Sequence, residues 1–421
     1  MNKTNPMLSV QQALDFLLAA ARPVTGTEVI PTLAANGRVL AADQSSLLNV
    51  PPMDNTSMDG YAVRAADCAL PAVTMPVSQR IPAGHVGQAL QPGTAARIFT
   101  GAMIPAGADA VVMQEMCEFH KDEAGDRVTI RHAPQSGEWI RRAGEDIRAG
   151  SVILPAGTRL RAQELGLAAS VGLASLPVVR RLRAAVFFTG DELAMPGEEL
   201  KPGAIYNSNR FTLRALLENL GCEIADYGIV PDTLDATRDT LRRAAQDNDL
   251  IITSGGVSVG EEDHIKPAVE AEGRLNMWQI AVKPGKPLAF GEVNRQQGKD
   301  EDAGKDKGAA WFLGLPGNPV SSLVTFMLFV RPFILRLQGV DKVAPQACVM
   351  RADFEWPKAD RRNEFLRARI NDSGGLDLFP NQSSGVLTST VWGDGLVDNP
   401  AGTTIARGDS VRFLPFHSLL Y

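Results

Sequence analysis

Between Arg183 and Leu337 short apolar runs alternate with amphipathic ones, and this rhythm restricts the fold more than any other feature of the chain. Residues 184–188 form an apolar run. Residues 209–220 then put Phe211, Leu213, Leu216, Leu217 and Leu220 on a helical pattern, with Gly221 where a C-terminal cap is favoured. Further on, a strand is expected over 222–230, a helix over 235–246, and a strand over 249–253, apolar enough to be buried on both faces. A short helix over 262–272 follows, then strands over 277–282 and 288–292, a solvated hairpin loop over 294–308 and a strand over 311–315. Pro316-Gly-Asn-Pro319 opens a long helix ending near residue 337, with Asn318 suited to the N-cap and Pro319 to the first turn. This order predicts a three-layer α/β domain with a mostly parallel sheet.

The α/β rhythm occupies only part of 421 residues, and a chain of that length is expected to form two to four domains. Before it, Ser9 and Gln12 make a capping box at the start of an amphipathic helix, and Asp15 interrupts what would otherwise resemble a signal segment. From Val50 to Val152 short runs are punctuated by Pro and Gly, the pattern of an irregular β-rich region. Beyond Gln338 the chain returns to short strands, expected over 348–354, 364–370, 375–379, 403–406 and 410–415, which fits a small terminal β-barrel or sandwich.

Charge and cysteine usage exclude several function classes. With 42 Lys and Arg against 48 Asp and Glu, the net charge of -6 argues against broad nucleic-acid binding, which needs a basic face. The four cysteines form no CxxC pair and there is no HExxH, so neither a disulfide framework nor a structural zinc site is expected, and a reducing, cytoplasmic setting fits. The longest apolar stretch, residues 323–335, is broken by Thr325, Arg331 and Pro332, and no membrane span is expected.

The chemistry is expected at the carboxyl ends of the parallel strands, where ligands bind in open α/β sheets. Four predicted strands run there into polar or glycine-rich turns: Thr189-Gly-Asp-Glu192, Pro231-Asp232, Ser254-Gly-Gly-Val-Ser258 continuing to Asp263, and Gly314-Leu-Pro-Gly-Asn-Pro319. Asp191, Glu192, Asp232 and Asp263 would crowd carboxylates at that rim, a hard-oxygen set suited to Mg²⁺ shared with phosphate. The turn from Ser254 to Ser258 offers unobstructed backbone N–H groups to an anion. Glu261 stands where a P-loop would need lysine, and no GxGxxG follows a strand. Lys283 and Lys286 sit in a proline-braced turn as point charges for an anion, and Arg141 with Arg142, ahead of Asp146, offers another. In the β-rich region the densest polar cluster is Asp54-Asn-Thr-Ser-Met-Asp59, of which Asp59 is the member placed to reach a ligand. Thr100-Gly101 reads as a strand-end turn.

Together these motifs resemble the molybdopterin molybdenumtransferase family, the bacterial MoeA type related to the gephyrin E domain. The residues that carry the resemblance are Asp54 to Ala62, Arg97-Ile-Phe-Thr-Gly101, Arg142-Ala-Gly-Glu-Asp146, Ser254 to Gly260, Lys283-Pro-Gly-Lys-Pro287 and Gly314-Leu-Pro-Gly-Asn-Pro-Val-Ser321. The likeness runs in order from about Leu8 to the C-terminus. It implies an elongated first segment (7–26, 46–53 and 143–177), an inserted β-rich domain (54–142), an α/β molybdopterin-binding domain (27–45 and 178–337) and a C-terminal β-barrel (338–421).

The resemblance also implies the reaction: molybdenum from molybdate enters adenylylated molybdopterin, with Mg²⁺-dependent cleavage of the phosphoanhydride and release of AMP. It implies a homodimer with a site shared between subunits, and other molybdenum cofactor biosynthesis proteins as partners. Asp59, Thr100, Asp191, Glu192, Asp232 and Asp263 would be catalytic, the last four as metal ligands. Substrate contacts would come from Ser254, Gly255, Gly256, Ser258, Lys283, Lys286, Pro316, Gly317, Asn318, Ser321, Arg142 and Asp146. In the terminal barrel Arg362-Asn-Glu-Phe-Leu-Arg367 and Gln382-Ser-Ser384 resemble the family less strictly, with Arg367 and Ser384 as contacts. His264 and the long 294–308 loop depart from the family pattern. Two other readings are an adenylyltransferase on the same α/β unit and a non-catalytic scaffold. The first usually lacks the Asp54 to Ala62 and Arg142 to Asp146 segments in one chain. The second need not keep four rim carboxylates.

Overall fold

The computed structural model describes residues 7–420 apart from 71, 124, 257–263, 286 and 296–307. Its centre is the expected α/β domain: β1 (Arg183–Thr189), α1 (Ser208–Asn219), β2 (Glu223–Val230), α2 (Leu234–Asp247), β3 (Leu250–Ser254), α3 (Ile265–Glu272), β4 (Gly273–Gln279), β5 (Pro287–Asn294) and β6 (Ala309–Leu315). The sheet order is β2-β1-β3-β6-β5-β4, with β2, β1, β3 and β6 parallel and the last two strands antiparallel. All of β3 is buried. Alternation along β1 divides the core, for Ala184, Val186 and Phe188 join one apolar layer while Ala185 and Phe187 join the other. Helices therefore cover both faces. The 294–308 loop joins two paired strands, as expected of a hairpin, although 296–307 lie outside the described residues.

The long helix Pro319–Leu337 is apolar enough to cross a membrane by length and hydropathy alone. Ninety-four per cent of its apolar window is buried inside the protein, so here it is a core helix. Its middle turn, Phe326–Val330, widens to a π-helix. The first helix, Val10–Ala20, has the expected capping box and buries Ala13 and Leu17 in the same apolar layer. Leu8 and Val24 hydrogen-bond to Gln279 and Leu337.

Two expected groupings are thereby corrected. Residues 7–26 were expected with the elongated segment, yet their helix packs on the α/β core. Residues 27–45 were expected with the α/β domain, yet Thr27–Pro31 pairs antiparallel with Ser175–Val179 and Gln44–Ser45 pairs with Val152–Leu154. Ala35 and Leu40 share a small core with Leu154, Leu160, Ala168, Leu176 and Val178. Pairing partners more than a hundred residues away decide this, and local pattern carries no trace of them.

The inserted domain is a six-stranded sheet in the order Ala110–Met113, Gly60–Val63, Ala95–Ile98, Val73–Ile81, Gly125–Ile130 and Cys117–Asp122, with small apolar clusters around Tyr61 and around Ile98. Gly60 is required there, because a Cβ would lie 1.9 Å from the Val112 carbonyl oxygen. The terminal domain runs Asn363–Ile370, Gly395–Asn399, Ser410–Pro415, Cys348–Arg351, and the Ala352 to Leu376 bridge returns it through Leu376–Leu378 to its first strand, closing a barrel. Gly395–Asn399 was not expected as a strand, and the strand expected at 403–406 is reduced to a bridge between Trp356 and Ile405. Val282–Lys283 pairs with Asn363 and Glu364 of this barrel, so the α/β chain crosses into it beside the site.

Candidate active site

The carboxyl ends of β1, β3 and β6 open into a cavity of about 750 Å³, closed on its far side by the Lys283 turn and the barrel loop 382–384. Its shape comes from a short hydrogen-bond relay. Ser254 Oγ donates to the Pro316 carbonyl at 2.9 Å and accepts from Asn209 Nδ2 at 2.8 Å, while the same amide reaches the Gly317 carbonyl at 2.7 Å. The relay ties the ends of β3 and β6 to the start of α1. Gly255 (φ 96°) and Gly256 (φ 63°) turn the chain through left-handed conformations, and a Cβ on Gly255 would press within 3.1 Å of the Thr189 carbonyl. Asn318 is the N-cap of the long helix but makes no side-chain capping bond, and it lines the cavity. The barrel loop is held by Val320 N–H donating to the Ser384 carbonyl at 3.0 Å.

Two cations face this space, each anchored by an acid behind it. Lys283 Nζ lies 2.8 Å from Glu364 Oε1 and 3.3 Å from Asp360 Oδ2, and Arg362 pairs with Asp360 at 2.9 Å. Burial pulls the Lys283 ammonium down, but the hydrogen bonds and charges of Glu364 and Asp360 outweigh it and hold its pKa above the ordinary lysine value. The Arg362 fork in turn keeps Asp360 well below the usual carboxylate range. Glu364, whose side chain is 1% exposed, also accepts from Trp356 Nε1 at 2.7 Å and Asn399 Nδ2 at 3.3 Å. Both cations thus stay charged and oriented where an oxyanion would enter.

The chain resembles known proteins over nearly all of its length. Residues 8–172 fit the MoeA N-terminal region (domain I and II), 185–336 a probable molybdopterin binding domain, and 349–416 the MoeA C-terminal region (domain IV). A molybdopterin molybdenumtransferase of Haemophilus influenzae is 39% identical, covering 98% of this chain and all of that one, and one of Nostoc is 37% identical, covering 97% and 94%. The chain belongs to the molybdopterin molybdenumtransferase family. It is a transferase. The crystal structure of a molybdopterin biosynthesis MoeA protein from Pyrococcus horikoshii superposes with a TM-score of 0.81 at 28% identity, covering 97% of this chain and all of that one.

Against this molybdenumtransferase frame, the expected site residues fall into three groups. Glu192, Ser254, Gly255, Gly256, Lys283, Pro316, Gly317, Asn318, Ser321 and Ser384 line the cavity. Ser258, Asp263 and Lys286 lie outside the described residues. The others stand off the cavity. Asp191 is exposed, and Asp232 accepts from Thr189 Oγ1 at 2.9 Å, one residue behind the wall. Asp59 accepts from the Thr100 backbone and hydroxyl, both at 2.7 Å, and these bonds hold its carboxyl below the usual range. Arg142 pairs with Asp54 at 2.6 Å, and Asp146 is exposed beside it.

Arg367 corrects an expectation. It is fully buried and donates to Ser389 Oγ at 3.0 Å, the Ser383 carbonyl at 3.2 Å and the Phe365 carbonyl at 3.3 Å, while burial lowers its pKa to about 10. It is a pillar under the 382–384 loop and makes no cavity wall itself.

Sequence reasoning missed Asn207, Asn209, Leu193 and Ile205, all of which line the cavity. Asn207 is the N-cap of α1, and its preference for that position was the available signal. Among the described residues no three carboxylates, imidazoles or thiols gather as a metal cluster.

Proposed function

We propose that this transferase moves molybdenum from molybdate onto adenylylated molybdopterin, cleaving the phosphoanhydride and releasing AMP. The observation that carries this reading is the pair of acid-backed cations, Lys283 and Arg362, set across one cavity from the glycine turn at Ser254 to Gly256. An oxyanion such as molybdate suits the cations. The phosphates suit the glycine turn and the amino end of the long helix at Asn318, where backbone N–H groups are available. In this reading Ser254 and Asn209 keep the turns in register, and Ser321, Ser383 and Ser384 supply neutral donors around the anion.

Magnesium fits the donor set in a limited sense. Mg²⁺ commonly uses one or two carboxylates and completes its shell with water and substrate phosphate, so a three-carboxylate cluster is not needed. Asp232, with Asp263 beyond the described residues, would hold it, and it would neutralise charge on the phosphates.

The same reading assigns Asp59, Thr100, Arg142 and Asp146 to the site of a partner subunit in a homodimer. An apolar series along the elongated segment, Val29, Leu33, Leu47, Met53 and Val152, is more than half exposed and supports such an interface. Four unpaired cysteines are consistent with a cytoplasmic enzyme that works alongside other cofactor-biosynthesis proteins. The test is turnover: purified protein given adenylylated molybdopterin, molybdate and Mg²⁺ should release AMP. Release that does not depend on molybdate, or none at all, would refute the proposal.

A further inference from the structure

One donor in the cavity wall has no partner. Asn207 caps α1, its Oδ1 accepting from the Arg210 N–H at 3.1 Å, and that bond fixes which way the amide faces. Its Nδ2 is left without a hydrogen bond although the residue is only 2% exposed and lines the cavity. A buried donor with no acceptor is costly to keep, and such groups in a ligand cavity are met by the ligand.

The surroundings of Asn207 indicate what kind of ligand. Leu193 and Ile205 pair side by side in a two-stranded parallel ribbon, and the Asn207 N–H continues it by donating to the Ala194 carbonyl at 2.9 Å. Both residues line the cavity, and Ile205 is 55% exposed overall. Glu192 precedes them on the same wall. A phosphate is disfavoured beside that carboxylate, whereas a flat ring with both donors and an acceptor on one edge suits an apolar shelf flanked by a carboxylate and an amide donor. Adenine lacks a ring carbonyl and a ring N–H on that edge. A pterin has both, next to an amino group.

We propose that Asn207 donates to the ring carbonyl of the substrate's pterin, which lies on Leu193 and Ile205 while Glu192 accepts from its ring N–H and amino group. This rests on the transferase reading for the identity of the substrate and removes Glu192 from the metal ligands. A site built around such a donor discriminates strongly against rings that cannot use it.

The test is binding of neopterin and of AMP, each alone, by calorimetry near neutral pH, with thermal melting as the control. Asn207→Asp keeps the shape and the capping oxygen but replaces the donor with an acceptor, and a carboxylate at a helix N-terminus should not lower the melting temperature. Asn207→Ser also keeps a cap and serves if the first variant fails to fold. The expected result is a loss of neopterin affinity of about tenfold or more, with AMP affinity unchanged. Unchanged neopterin affinity in a folded variant overturns the proposal, as does no neopterin binding by the unsubstituted protein. A loss confined to AMP overturns it too, since the shelf would then hold adenine. Molybdate-dependent AMP release is measured separately, so a protein that binds neopterin through Asn207 but releases no AMP would refute the transferase reading and leave the subsite standing.

Discussion

The α/β rim and the inserted β-domain both carry dense polar turns, but they use them differently. At the rim, Ser254, Asn209 and the Pro316 turn bond to one another so that a cavity stays open between them, with the Asn207 amide left over. In the inserted domain the polar cluster closes on itself. Asp59 is occupied by Thr100, and Asp54 by Arg142 and the Ala143 N–H. A surface that has satisfied its own groups does not enclose a ligand, so any catalytic part for Asp59 requires a second surface to face it. The contrast turns the shared-site expectation into something that can be broken.

The largest effect should come from mixing subunits. Asp59→Ala and Lys283→Ala are each expected to lower AMP release by about 10²- to 10³-fold, the range seen when one charge-stabilising group is removed. If the inserted domain completes the partner's cavity, equal mixing of the two inactive proteins should restore about a quarter of the unsubstituted rate, since half the dimers then hold one intact site. No recovery in confirmed mixed dimers would return the inserted domain to a structural role.

Next in size is the stability of the rim itself. Lys283→Met leaves the buried Glu364 with Trp356 and Asn399 but without its cation, and should cost about 2 kcal/mol after allowance for the partial exposure of Lys283. The sign of the pH dependence follows from the raised folded pKa. The pair contributes fully below the ordinary lysine value and is lost as pH rises through the folded one, so the variant should differ least from the parent in strong alkali. Denaturant melts across that range measure it. An equal deficit at all pH values would mean the loss is packing alone.

How much of this contrast the sequence discloses depends on how far each feature reaches along the chain. Thr189, Ser254 and Pro316 were legible because a strand end followed by a polar or glycine turn is a local signal, and the parallel order then brings such ends to one rim. Gly395–Asn399 was not, because only Leu396 and Val397 are apolar in it and its partners, Asn363–Ile370 and Ser410–Pro415, supply the rest of its environment. Arg367 reads as an anion contact in text and becomes a pillar only because its strand turns it inward. Asn207 was passed over because the apolar helical pattern begins after it, and the left-over amide proton depends on which of its two ends the helix takes. The misplacement of 27–45 is of the same kind as Gly395–Asn399, with the pairing partner beyond the reach of periodicity.

A smaller effect should appear in the acid limb of catalysis. Thr100→Val removes one of the two strong bonds to Asp59 and leaves the backbone one, so the Asp59 pKa should move up toward the ordinary value. A depressed carboxyl is ionised above its folded pKa and loses that state as pH falls through it. If ionised Asp59 is needed, the rate of the variant should therefore begin to fall at a higher pH than that of the parent, with the neutral-pH rate affected less. A pH profile of AMP release checks this, and superimposed acid limbs would show that Asp59 ionisation is not part of turnover.

Arg142→Ala should have the smallest effect, and it separates architecture from chemistry within the inserted domain. Its ion pair with Asp54 is largely exposed, 57% on the arginine side, so its loss should cost less than about 1 kcal/mol. Asp54 also retains the Ala143 N–H at 2.8 Å, which keeps the turn in place. With the fold so little disturbed, a change in the apparent affinity for substrate has to come from the guanidinium itself. A rise in KM with kcat unchanged would assign Arg142 to binding in the ground state and transition state alike. Unchanged kinetics with a slightly lower Tm would leave it a surface brace for the 142–146 turn, and would narrow the inserted domain's share in the site to Asp59 and Thr100.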